Sequence, residues 1–170
     1  MAKSLTSTFG DIGVLAIALP LLRSELKGIK LGPLRSEERP CMIVLCHHNE
    51  GRVLLTDEDG MYNDFIREAC RLTGGNVFLA LSPVETSGLA LANERLVSAM
   101  AYAGGQNGLL SIHVQQRFLT WDKKPSDAQL VKLGEAIRGK ADALEVPESL
   151  LEPLRPGQRG SGASSFCNFL

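Results

Sequence analysis

Apolar and polar positions alternate along this chain in a way that predicts a series of strands and helices. Cys41 to Cys46 (CMIVLC) is an unbroken apolar run carrying β-branched residues and entered from Pro40, which predicts a central strand buried on both faces. Asn49-Glu50-Gly51 then reads as a short loop, with Gly51 supplying a positive φ, closing an antiparallel hairpin onto a second strand from Arg52 to Thr56. In that register Cys46 and His48 share one face of the first strand, while His47 lies on the other with Leu45. Tyr62, Phe65, Ile66, Ala69 and Leu72 recur at helical spacing up to Gly74-Gly75, a helix stop. Asn76 to Ser82 (NVFLALS) is a second buried strand, and strand, helix and strand in this order predict a crossover and parallel pairing.

The remaining third of the pattern repeats the alternation of element types. Ser87 stands where an N-cap is expected ahead of a stripe of Leu89, Ala92, Leu96, Met100 and Ala103, which Gly104-Gly105 would end. From Leu110 the residues alternate: Leu110, Ile112 and Val114 on one face, Ser111, His113, Gln115 and Arg117 on the other, as in a half-buried strand. Ser126 and Gln129 have capping-box spacing, and Leu130, Leu133, Ile137, Ala141 and Leu144 form a last helical stripe weakened by Gly134 and Gly139. The expected fold class is therefore α/β: a single layered domain over residues 1–146 with a mixed sheet, a β-hairpin followed by βαβαβα. Within it residues 1–40 are an apolar N-terminal segment and linker, and residues 147–170 follow as a tail rich in Pro, Gly and Ser.

Composition narrows the class of partner. A chain of 170 residues supports one full core, and 44% hydrophobic with 22% charged residues is ordinary for a globular protein, while 5% aromatics make that core mostly aliphatic. Eighteen Lys and Arg balance nineteen Asp and Glu without gathering into a stripe, so nucleic acid is not an expected partner. Cys41, Cys46, Cys70 and Cys167 show neither Cys-x-x-Cys spacing nor a dense framework, which favours a reducing, cytoplasmic setting. The apolar run Gly13 to Leu22 is shorter than the ~20 residues a membrane span needs, and no small-x-small cleavage site follows it. It reads as a buried helix or strand.

Candidate chemistry is sparse. Cys46 and His48, about 7 Å apart on one strand face, could chelate zinc if His113 supplied a third ligand. The same three residues could serve a thiol-dependent hydrolase, with Cys46 as nucleophile and a histidine as base. The acidic turn Asp57-Glu58-Asp59 reads as helix-capping charge and the Gly-Gly pairs as helix stops, since phosphate loops precede helices. At the end of the sequence, Cys167-Asn168-Phe169-Leu170 resembles a prenylation box, with Leu directing geranylgeranylation at Cys167 and peripheral membrane attachment. Phe166, Phe169 and Leu170 equally fit an unlipidated docking tail. Taken together, these features favour a non-catalytic interaction or regulatory module without a cofactor, assembling with itself or a protein partner. The alternative is the small thiol- or zinc-dependent hydrolase.

Overall fold

A computed structural model describes residues 23–26, 29–31, 42–48, 61–102 and 107–146. Its centre is β2 (Val77–Ser82), whose first five residues are all buried. Both edges of β2 are paired in parallel: β1 (Ile43–His48) runs alongside from Ile43 opposite Val77 to His48 opposite Ser82, and the short β3 (Phe118–Thr120) pairs Phe118 with Leu79. The α/β class expected from the sequence is thus present, with all three described strands parallel. The central, doubly buried strand is β2 and not the CMIVLC segment. That segment's strand begins two residues later than expected, lies outermost among the described strands, and has half-buried or exposed residues throughout. The hairpin strand expected from Arg52 to Thr56, the run Gly13 to Leu22 and the tail from Pro147 lie outside the described residues.

The pleat of β2 sorts its side chains into two cores. Val77, Leu79 and Leu81 face α2 (Met61–Thr73), α3 (Glu94–Ala101) and α4 (Asn107–Val114), all on one side of the sheet. Phe78 and Ala80 face α5 (Asp127–Ile137) on the other side, together with Leu119, Trp121, Leu133 and Ala136. Both crossovers lie on the same face, as crossovers of one hand must when strands are added in one direction. A four-residue turn of helix, α1 (Arg23–Leu26), adds Leu26 to the first core and contacts α2.

Helix ends explain where the sequence pattern was legible. After α2, Gly74 and Gly75 have φ of 66° and 91°, and Gly75 N–H returns to the Cys70 carbonyl in a Schellman-type stop. A Cβ on Gly75 would also come within 2.8 Å of Leu144 N, so the position requires glycine twice over. Gly139, at φ 68°, ends α5 in the same manner: its N–H bonds to Ala136 O and Lys140 N–H to Glu135 O. The expected capping box is formed, Gln129 N–H donating to Ser126 Oγ and Ser126 N–H to Gln129 Oε1.

Two segments differ from expectation. Ser87 caps nothing: α3 starts at Glu94, capped by Asn93, whose side chain accepts from Leu96 N–H, and Leu89 is 87% exposed instead of belonging to a core stripe. The second difference is larger, because Leu110 to Val114 forms the end of helix α4 instead of a strand. The apolar residues there fit two periods at once; Leu109 and Ile112, three apart, are the ones fully buried. The helix stop was hidden as well. Gln116 occupies the left-handed position, at φ 54°, with its N–H bonded to His113 O and Arg117 N–H to Ile112 O, so a Schellman ending exists without its usual glycine.

Candidate functional site

Ligands of open parallel sheets usually lie beyond the carboxyl ends of the strands. Among the described residues that edge holds His47 and His48 at the end of β1, Ser82 at the end of β2, and Thr120 to Asp122 at and just after the end of β3. Much of its polarity is spent internally. Gln129, fully buried, donates through Nε2 to the carbonyls of Leu91 and Thr120, both at 2.6 Å, while its Oε1 accepts from Ser126 N–H. Thr120 Oγ1 accepts from Asn93 N–H at 2.7 Å and pairs with the Thr86 hydroxyl. Ser82 Oγ donates to Asp122 O at 2.8 Å. These bonds fasten the irregular segment between β2 and α3 onto β3 and α5, so the polar groups they use hold a loop.

The histidine and cysteine positions separate along the faces of the sheet. His47 shares the face of Leu45, as expected, and its Nδ1 is hydrogen bonded at 2.8 Å to the hydroxyl of Tyr62, a residue with no exposed surface. Cys46 and His48 alternate onto the opposite face and are both exposed. Partial desolvation raises the Cys46 thiol to about 11 although its surface is exposed.

His113 does not join Cys46 and His48. It lies on α4, against the other face of the sheet, where its Nε2 is 3.3 Å from Ser98 Oγ and 3.4 Å from Glu94 Oε1, with Tyr102 edge-on at 6.0 Å between ring centroids. Among the described residues, no group of three or more His, Cys, Asp or Glu could hold a metal ion. The zinc and thiol arrangements of Cys46, His48 and His113 are therefore not assembled, and the reason is the helix at 107–114, which carries His113 off the sheet.

Ser98, His113 and Glu94 invite comparison with a hydrolase triad, but the geometry differs in a decisive way. A triad holds its serine and its acid on opposite ring nitrogens, so that one orients the imidazole while the other receives a proton. In this cluster both groups face Nε2, and Ser98 Oγ is also 3.1 Å from Glu94 Oε1, to which it donates. The result is a clasp between α3 and α4. Glu94, Ser98 and Tyr102 stand four residues apart on one face of α3, a spacing readable in the sequence once α3 is known to begin at Glu94.

Arg117 was expected on the polar face of a strand and is instead buried at the start of β3. Its guanidinium stacks 4.9 Å from the Phe78 ring centroid and donates to Asn76 Oδ1 and to the carbonyls of Val77 and Asp142. Burial lowers its pKa from the ordinary guanidinium value, opposed by Cys70 and Asp142. Burial likewise pushes the Cys70 thiol up to about 11. Arg117 ties the returning segment 141–146 to the sheet, a task shared by Leu144 N–H on Gly75 O and by Gln115, whose side-chain amide makes both bonds to the Glu145 backbone.

The surface that remains unexplained is apolar and belongs to α4. Leu109 and Ile112 of this helix enter the core, Leu110 is half-buried, and Val114, four residues on, is 64% exposed. Leu110, Ser111, Val114, Gln115, Glu145 and Val146 line an open depression of about 340 Å³. Tyr102, 66% exposed, flanks the helix through its contact with His113. A helix apolar on every side is ordinarily buried on every side. This one packs against α2 and α3 and leaves Val114 exposed.

The described residues thus form an α/β unit on a small parallel three-stranded sheet, with Val114 of α4 exposed. No protein-family model, no curated protein and no solved structure matches the chain. Among the described residues no helix is long and apolar enough to cross a membrane.

Proposed function

We propose that this chain is a non-catalytic interaction module whose docking surface is the outer face of α4. The observation that carries this reading is Val114, 64% exposed beside the half-buried Leu110, on a helix already committed to the core by Leu109 and Ile112. Such a strip gains free energy when another surface removes it from water, at about 25 cal/mol per Å² of apolar area. The partner used for the test is a second copy of the chain. Light scattering on the full chain across a concentration series should show mass rising with concentration, and Val114→Glu should hold the protein at monomer mass. Equal masses for both proteins at every concentration would defeat self-association through this face.

The hydrolase alternative lacks support of this kind, because His48 and His113 lie on opposite sides of the sheet. The expectations for Cys167, Phe166, Phe169 and Leu170 concern residues outside those described. Prenylation at Cys167 has its own check: intact mass after expression in a eukaryotic cell, where an added geranylgeranyl group with loss of the last three residues is the expected signature and an unchanged mass rejects it.

A further inference from the structure

We draw no further inference here: the strongest candidate, the open depression beside α4 lined by Leu110, Val114, Gln115 and Val146, belongs to the docking face already described, and nothing among the described residues shows what covers it.

Discussion

The two ends of the sheet differ in how their polar and apolar groups are satisfied. At the carboxyl edge, Gln129, Thr120, Thr86 and Asn93 are bonded to one another and to the Leu91 and Thr120 carbonyls, so polarity there holds a loop in place. At the other end, near Gln115 and Val146, polar groups are again paired, but the neighbouring α4 presents Val114 to solvent. The contrast teaches that polar clustering at the usual α/β ligand edge is not in itself a site. Saturated polar groups stabilise the fold; apolar area left uncovered is what remains available to a partner.

The largest expected effect comes from breaking the saturated end. Gln129→Leu removes both carbonyl bonds and the reciprocal half of the α5 capping box, and should cost about 2–3 kcal/mol in chemical denaturation. A loss below about 1 kcal/mol would show that the network is replaceable by water, and the contrast between the two ends would weaken. A second effect follows from Cys70, whose thiol is raised to about 11 by burial from an ordinary value near 9.0. Below pH ~9 both states keep the proton and no pH dependence arises; above it the unfolded chain releases its proton first, so stability falls as pH rises toward 11. Replacing Cys70 with Ala should flatten that part of the stability curve, measured by denaturation at several pH values. A slope unchanged by the replacement would assign it to other groups.

How much of this was legible in the sequence depended on whether a local signal and a tertiary demand agreed. They agreed at Gly74-Gly75, at the Ser126–Gln129 capping box and at the VFLALS strand, where turn chemistry and burial point the same way. They disagreed at Leu110 to Val114. Five residues of alternating polarity fit a strand, but Leu109 and Ile112 fit a helix against α2, and Gly108 permits the close approach: a Cβ there would meet Ile66 at 2.8 Å. That one misreading moved His113 onto a helix, and with it the zinc and thiol sites were lost. The clasp of Glu94, Ser98 and His113 was hidden for a related reason, since α3 begins seven residues after the apparent cap at Ser87. The pairing of Cys46 with His48 on one face needed only strand alternation and was readable.

Gln116 tests the same point at smaller scale. It holds φ 54° at the end of α4, where side chains cost about 1 kcal/mol relative to glycine after allowing for the entropy that glycine loses. Gln116→Gly should therefore raise stability by about 0.5–1 kcal/mol, read as a higher denaturation midpoint at unchanged slope. No gain would mean that the Gln116 side chain compensates through packing.

The smallest stability effect is expected at Val114, and its smallness is what gives it meaning. A residue 64% exposed loses little on truncation, so Val114→Ser should change folding free energy by no more than about 0.5 kcal/mol. The same substitution on Ile112, one turn-face away and fully buried, should cost several times as much, because it leaves a cavity against the sheet and a hydroxyl without a partner. If Val114→Ser leaves stability intact while reducing association in the light-scattering series, the outer face of α4 works as a surface and not as part of the core. If instead Val114→Ser destabilises the monomer as strongly as Ile112→Ser does, the helix is already covered within the chain on both sides, and the contrast between a saturated edge and an open one disappears.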